Sequence, residues 1–159
     1  MPVLQLIILI TLANSAPVLA RHLFGDTWQQ PIDAGLVWRD GRRVLGRSKT
    51  WRGLFAAIAM CALAAPLLGV PWQLGMQSGA LAMGGDLVAS FIKRRIGLTP
   101  GERAPRLDSV PEALLPVLVL RTSLSLSWLQ VALVVAGFVL VVRLASPLLY
   151  SLRLRSRPW

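Results

Sequence analysis

The stretch GMQSGALAMGGDLVASFIKRR, residues 75–95, decides how the rest of the chain is organised. It is apolar enough to suggest a membrane span, yet it carries Asp86 well inside and ends in a basic cluster. A charged side chain at that depth is costly and usually faces a bundle interior or an aqueous cavity. On a helix, Ser90 and Lys93 follow Asp86 at i+4 and i+7, so the three share one face within about 10 Å. This face predicts a site for a metal and phosphates at a membrane surface.

The composition is typical of a membrane protein. The 159 residues are 55% hydrophobic with a mean hydropathy of +0.61, and the apolar residues fall in long blocks. A net charge of +10 would suit nucleic acid in a soluble protein, but basic residues beside spans act first as topology determinants and contacts to anionic lipid. We therefore expect membrane lipids and no nucleic acid among the partners. Cys61, alone in an apolar run, excludes a disulfide framework and is expected to be buried as a small hydrophobe.

Five apolar segments predict an all-α integral membrane bundle of five transmembrane helices in a single domain, residues 1–159. The expected spans are residues 2–20, 53–70, 73–92, 108–121 and 126–149, and the cytoplasmic loops are residues 21–52 and 93–107. The first segment also resembles a cleavable signal peptide, but no Lys or Arg precedes it and the residues after it are basic, which favours a retained span. Polar Asn14 in that segment either packs between helices or faces a ligand.

Glycines in the third segment predict close contacts. Gly75 and Gly79 form a small-xxx-small pair, a spacing that lets helix backbones approach closely. Gly84 and Gly85, directly before Asp86, could in addition let a ligand or metal approach the backbone. This glycine-rich helix could serve a homo-oligomer as readily as the core of a monomer.

The distribution of Lys and Arg predicts the orientation of the bundle. Of the 17 basic residues, seven lie in the first loop, five in the second and four in the C-terminal region, which leaves Arg121 alone elsewhere. With five spans, all but Arg121 fall on one side, and the positive-inside rule makes that side cytoplasmic. We expect a multi-pass protein of the cell membrane with its N-terminus outside, its C-terminus cytoplasmic and its active face cytoplasmic.

The two basic loops meet the same membrane surface and mix cations with a few carboxylates. Mg²⁺ is typically held by one or two carboxylates plus phosphate oxygens, while Arg and Lys neutralise the phosphates of a nucleoside triphosphate. A lipid phosphomonoester that attacked such a triphosphate would need no general base, because its second pKa of about 6 leaves it largely dianionic at neutral pH. The residues alone thus indicate an anionic-ligand site at the cytoplasmic face without naming the ligand.

Two stretches resemble the CDP-archaeol synthase family: NSAPVLARHLFGDTWQQPIDAGLVWRDGRRVLGRSKTWRG at residues 14–53 and GDLVASFIKRRIGLTPGERAPRLD at residues 85–108. The motifs RDGRR, GxxKTWRG and GDLVxSFIKRRxG follow in that order, and Pro158-Trp159 matches the ending of many members. The resemblance implies an integral membrane cytidylyltransferase, similar in chemistry to CDP-diacylglycerol synthases. Such an enzyme transfers CMP from CTP to an archaeal-type ether-lipid phosphate, releases pyrophosphate and uses Mg²⁺.

The resemblance also implies roles for individual residues. It makes Asp86, Lys93 and Lys49 catalytic and gives the metal to Asp86, Asp108 and Glu112. The residues expected to bind the nucleotide are Thr50, Arg52, Ser90, Arg94, Arg39, Arg42 and Asp40. Asp33 matches the first motif without an assigned role.

The chain departs from the family pattern after Asp108. The family continues Gln-Leu-Asp, whereas this chain runs Ser-Val-Pro-Glu. Either Glu112 replaces the missing second aspartate as a metal ligand or metal binding is weakened. The C-terminal segment also lacks the His and Asn that the family carries there.

Other functions remain open at this point. Asp40-Gly41 could begin a CDP-alcohol phosphotransferase motif, but that motif needs further aspartates at helical spacing and residues 41–53 contain none. A non-catalytic multipass protein that binds anionic lipid or nucleotide also fits the basic loops. For the enzyme, the lipid phosphate could be an isoprenoid ether or a diacyl phosphatidate, because apolar grooves discriminate weakly between chains.

Overall fold

The computed structural model describes residues 2–99, 102 and 105–151, and the side chains of 105–106 and 146–151 lie outside that description. The described residues form five helices and no strand: α1 (Pro2–Phe24), α2 (Trp51–Leu67), α3 (Trp72–Arg95), α4 (Pro105–Leu120) and α5 (Trp128–Ser151). The all-α expectation is confirmed, and each helix overlaps one of the five apolar segments. The family-like ending Pro158-Trp159 lies outside the described residues.

The helices differ in how well they suit a membrane. By length and hydropathy, Pro2–Phe24 and Trp128–Ala145 are long and apolar enough to cross one. Trp51–Leu67 is apolar but shorter, with 17 residues. The helix α3 is the least apolar of the five, because it carries Asp86 in its interior and three basic residues in its last turn.

The helix α3 packs between α2 and α4 and also contacts α1. A Cβ atom added at Gly75 would lie 2.4 Å from the carbonyl oxygen of Cys61, and one at Gly79 would lie 2.9 Å from that of Ala57. Both neighbours belong to α2. The predicted close approach through Gly75 and Gly79 is therefore confirmed.

Gly85 lies on the face of α3 opposite to the one that packs on α2. A Cβ atom there would lie 2.1 Å from the carbonyl oxygen of Pro111 and 2.8 Å from Cα of Glu112, both in α4. The expectation that Gly85 leaves room for a ligand or metal is wrong, since a neighbouring helix fills that space. Asp86 is thus held one residue beyond a tight helix–helix contact.

The interior of the bundle is apolar and so is much of its outside. Cys61 is fully buried and its thiol donates a hydrogen bond to the carbonyl of Leu9 at 3.3 Å, which confirms that it is a core residue. Large side chains of α2 and α5 point outward and are exposed: Phe55, Leu63, Leu67, Leu129, Leu133, Leu140 and Leu144. Apolar exposure on this scale marks a surface that contacts something other than water, such as a lipid bilayer.

Four helix ends meet at one end of the bundle. Because successive helices run in opposite directions, the last turns of α1 and α3 lie beside the first turns of α2 and α4. An ion pair between Lys93 and Asp108 joins α3 to α4 there, and Gly53 at the start of α2 packs beside Pro17 of α1, where an added Cβ atom would lie 3.1 Å from the proline ring. The loop between α1 and α2 covers the same end.

Candidate active site

The loop between α1 and α2 folds around Asp33. Its carboxylate accepts hydrogen bonds from the backbone N–H groups of Gly35, Leu45 and Gly46 at 3.1, 3.1 and 2.9 Å, and from Nη2 of Arg43 at 2.8 Å. Burial acts to raise the pKa of Asp33, but these donors outweigh it and the pKa lies below its usual value. The loop is therefore closed by one buried charge.

Closure of the loop presents Lys49 at the start of α2. The N–H of Ile32 donates to the carbonyl of Lys49 at 2.8 Å, and the N–H of Lys49 donates to the carbonyl of Gly46 at 3.3 Å. Thr50 then caps α2, since its hydroxyl accepts the N–H of Gly53 at 3.2 Å. Lys49 is thereby fixed on both sides, between the Asp33-centred loop and the first turn of a helix.

Lys49 and Asp86 form the first ion pair of the site. Nζ of Lys49 donates to both carboxylate oxygens of Asp86, at 2.7 and 2.6 Å. The two side chains are only 20% and 21% exposed. They line a cavity of about 220 Å³ together with Asn14, Ser48 and Thr50. Asn14 was expected either to pack between helices or to face a ligand, and its position in this cavity fits the second expectation.

A second ion pair joins α3 to α4. Nζ of Lys93 lies 2.5 Å from a carboxylate oxygen of Asp108, and the side chains are 12% and 27% exposed. Glu112 follows one turn later on α4, buried with 5% exposure beside Gly85. The two aspartates that were predicted to bind a metal are therefore each neutralised by a lysine.

Arg94 and Ser90 are buried on the same helix, with 5% and 2% exposure. Within the described part of the chain, Nε and Nη1 of Arg94 have no hydrogen-bond partner. A buried guanidinium with free donors suits an anion, because an unmet charged donor is costly. Its predicted role at the nucleotide stays a prediction that this burial supports.

Other predicted nucleotide ligands are occupied by contacts within the protein. Nη1 of Arg42 donates to the carbonyls of Arg94 and Arg95 at the end of α3, at 3.2 and 3.3 Å. In return, Arg95 donates to the carbonyls of Arg42 and Arg43, and its Nη1 lies 2.8 Å from the carboxylate of Asp40. These reciprocal contacts fasten the loop to α3.

Arg52 and Arg39 belong to neither of the two ion pairs. Nη1 of Arg52 donates to the carbonyls of Gly25 and Thr27, just after α1. Arg39 is exposed. The structure thus brings Lys49, Thr50 and Asp86 together, whereas Arg52, Arg42 and Asp40 make contacts that organise the loop.

Two contributors were missed from the sequence. The sequence gives Asp33 a place in a motif without a role, and it does not predict Arg95 as a site residue. Arg95 lies over the rings of Trp38 and Phe91, 5.8 and 5.0 Å from their centroids, in addition to its polar contacts. The only signal for Arg95 in the sequence was that the basic loop contains a carboxylate, Asp40, and an aromatic residue, Trp38, that an arginine could contact.

The carboxylates suit a metal that arrives with phosphates. No cluster of three or more His, Cys, Asp or Glu side chains that could hold a metal alone occurs among the described residues. Two separate carboxylates match the one or two that Mg²⁺ usually takes from a protein when phosphate oxygens supply further ligands. Each carboxylate already carries a cationic partner, which a metal ion would replace.

These features define a class: helical membrane proteins with a charged site built at one end of the bundle. The family model described as CarS-like, CDP-archaeol synthase, matches residues 2–79 and 72–159. The chain belongs to the CDP-archaeol synthase family.

Relatives and a solved structure agree with this assignment. The chain is 37% identical to the CDP-archaeol synthase of Aeropyrum pernix over 93% of this chain and 86% of the relative. The chain is 36% identical to the CDP-archaeol synthase of Hyperthermus butylicus, over 92% of this chain and 89% of the relative. A solved structure described as an intramembrane enzyme for archaeal membrane lipid biosynthesis superimposes with a TM-score of 0.75 at 32% identity, covering 91% of each chain. The chain is thus an enzyme of membrane lipid biosynthesis.

Proposed function

We propose that this chain transfers CMP from CTP to a lipid phosphomonoester, and that its natural acceptor is the archaeal-type ether-lipid phosphate. A phosphate oxygen of the lipid attacks the α-phosphorus of CTP. The bond from that phosphorus to the bridging oxygen breaks, and pyrophosphate leaves. The products are a CDP-lipid and pyrophosphate.

The ion pair of Lys49 and Asp86 is the observation that carries this proposal. It lies in a cavity beside the first turn of α2, where backbone N–H groups and the helix dipole favour an anion. The second pair, Lys93 and Asp108, lies at the same end of the bundle. A site with several cations and two carboxylates matches a metal-bound triphosphate better than it matches a simple anion.

The residues of the chain act by position and charge. Lys49, Lys93 and Arg94 bind phosphate oxygens and stabilise the charge that grows on the leaving pyrophosphate. Thr50 fixes the start of α2, on which Lys49 depends. The lipid phosphate is largely dianionic at neutral pH, since its second pKa is about 6, and it attacks without a general base.

Asp86 and Asp108 are the residues that would hold Mg²⁺, with Glu112 as a further ligand in place of the aspartate that the family pattern has. When bound, Mg²⁺ supplies charge neutralisation and alignment of the phosphates. Glu112 lies on the same helix as Asp108, one turn away and buried. That position supports the substitution of one carboxylate for the other.

An apolar groove supports a lipid acceptor. It has a volume of about 700 Å³ and flanks the first turns of α2, on the side where Trp51 and Phe55 project. The cavity of Lys49 also borders the start of α2, through Thr50 and Gly53. We propose that an acyl or isoprenoid chain lies in this groove while its phosphate reaches toward Lys49.

We further propose that all five helices cross the membrane as one domain, with the N-terminus outside and the site on the cytoplasmic face. The basic residues support this orientation, because all but one of the 17 fall on one side of a five-span bundle. A homo-oligomer through the glycine-rich α3 is less favoured, since Gly75, Gly79 and Gly85 contact helices of the same chain.

A transfer assay on the purified protein in detergent tests the function. CTP, Mg²⁺ and an archaeal-type ether-lipid phosphate are expected to yield pyrophosphate and a CDP-lipid, and a diacyl phosphate is assayed in parallel. Asp86→Asn is expected to lower turnover by at least about a hundredfold, as losses of electrostatic groups at phosphoryl centres do. Normal turnover by a folded Asp86→Asn variant would refute the mechanism.

A non-catalytic protein that binds anionic lipid or nucleotide is the second candidate. The exposed basic residues of the first loop favour it, because they suit any anion. CTP and GTP binding distinguish the two: preference for CTP supports the enzyme, and equal affinity supports the second candidate.

A further inference from the structure

In the ion pairs of the described residues, arginine and lysine hold different carboxylates. Among the described residues, two ion pairs use arginine: Arg43 with Asp33 and Arg95 with Asp40. Both fasten the first loop. The whole chain contains only two lysines, Lys49 and Lys93, and these pair with two of the three predicted metal ligands, Asp86 and Asp108.

This division has a physical reason. Arginine holds a carboxylate through a rigid fork and suits a permanent contact. Lysine is a compact charge on a flexible stem, which can leave one oxygen for another by rotating its side chain. The lysines are therefore suited to contacts that change during the reaction.

We propose that Lys49 and Lys93 occupy the positions of divalent cations on Asp86 and Asp108, and transfer to phosphate oxygens when metal and nucleotide bind together. This inference rests on the proposed function. It predicts that the divalent cation alone and the nucleotide alone bind weakly, and that each strengthens the binding of the other.

The charges of the site require this coupling. The two pairs are neutral, and they are largely buried, with side-chain exposures between 12% and 27%. A divalent cation alone would displace the lysines into a region that already contains buried Arg94, and would add two positive charges to a site whose aspartates are already paired with cations. A triphosphate alone would meet carboxylates. Together, the cation satisfies the carboxylates and the phosphates satisfy the lysines.

Binding of Mn²⁺, used in place of Mg²⁺, tests the proposal without turnover. The full chain in detergent is titrated with Mn²⁺ and free Mn²⁺ is read by its electron paramagnetic resonance signal. A protein-free titration corrects for Mn²⁺ bound by CTP itself. For the wild type we expect Mn²⁺ to bind at least about tenfold more tightly with CTP than without, within the usual range of coupling between sites.

Removal of either lysine should improve metal binding in the absence of nucleotide. Lys49→Gln leaves Asp86 without its cation, so Mn²⁺ alone should bind about three- to tenfold more tightly than to the wild type, and CTP should enhance it less. Lys93→Gln should have the same direction of effect at Asp108 but a smaller one, because Arg94 also acts on that carboxylate. Arg47→Gln is the matched control, because it removes the same charge from an exposed residue two positions from Lys49.

The outcomes separate cleanly. The proposal is overturned if both lysine variants bind Mn²⁺ no more tightly than Arg47→Gln, or if CTP does not strengthen Mn²⁺ binding by the wild type. Folding of Lys49→Gln is checked by tryptophan fluorescence and gel filtration. If that variant does not fold, the test uses Lys93→Gln and the comparison of Mn²⁺ binding by the wild type with and without CTP. Lack of CMP transfer by the wild type would instead refute the proposed function, whatever the Mn²⁺ titrations give.

Discussion

Asp33 illustrates how one buried residue organises a functional loop. Its carboxylate is fully buried and receives three backbone N–H groups and a guanidinium. Since Lys49 bonds to the backbone at Gly46 and Ile32, on either side of this network, the position of Lys49 depends on Asp33. The residue acts on the site through the loop and touches no substrate.

Asp33→Asn should therefore cost stability in a pH-dependent way. The pKa of Asp33 is lowered in the folded state, so its stabilisation is complete above the unfolded pKa of about 3.9 and is lost as pH falls through the lower folded value. We expect Asp33→Asn to lose about 1–3 kcal/mol at pH 7, the cost of disrupting a buried charged network. The measurement is thermal unfolding in detergent at pH 7 and below pH 4. An equal difference at both pH values would contradict the explanation.

At this scale the sequence predicted which side chains share a face of α3, while their roles in the site stay predictions. The spacing on α3 put Asp86 and Lys93 on one face, because helical periodicity is local. Lys49 and Asp108 came only from the family resemblance, since their contacts with α3 cross 37 and 15 positions of the chain. Asp33 and Arg95 were missed because hydrogen bonds that close a long loop have no periodic signal. Arg42 and Arg52 were assigned to the nucleotide, and their role there stays a prediction, because a guanidinium suits a carbonyl as well as a phosphate.

At the scale of helices, the glycines of α3 determine how close the site-bearing elements come. The sequence predicted the five helices and the contact through Gly75 and Gly79. It did not predict that Gly85 faces α4, because a repeated glycine gives no direction without the neighbouring helix. The position of Asp108 and Glu112 relative to Asp86 follows from that contact.

Gly85→Ala tests the contact, with Gly84→Ala as its matched control. A methyl at Gly85 would meet backbone atoms of Pro111, whereas one at Gly84 would meet the end of the flexible Leu115 side chain at 3.2 Å. The gain in helix propensity is common to both substitutions. We expect Gly85→Ala to be less stable than Gly84→Ala by about 1–3 kcal/mol, as for other overpacked cores. Thermal unfolding of both variants measures the difference, and equal stability would show that α4 can shift freely.

The groove beside α2 gives a second prediction at this scale. Ala59 lines it, and Ala59→Trp should fill it and raise KM for the lipid phosphate roughly fivefold, equivalent to about 1 kcal/mol. KM for CTP should not change. Leu63→Trp is the control, because Leu63 is exposed on the same helix and does not line the groove. A rise in KM for CTP instead would mean that the groove is not the lipid site.

At the scale of the whole molecule, the proposed orientation of the bundle is a prediction that rests on the distribution of charge. The buried Cys61 leaves no accessible thiol in the wild type, so a cysteine introduced at a loop reports its own position. A membrane-impermeant maleimide applied to intact cells should label Ser123→Cys and spare Arg47→Cys. After the cells are opened, both should be labelled. The reverse pattern would place the basic loops outside and contradict the proposed orientation.

The scarcity of lysine has a practical consequence for anyone who studies this enzyme. An amine-selective acylating reagent meets only two lysine side chains in the entire polypeptide, and both lie in the proposed site. Mass-spectrometric footprinting of those two amines would therefore follow occupancy by substrates directly. The two lysines would report substrate binding without an introduced label.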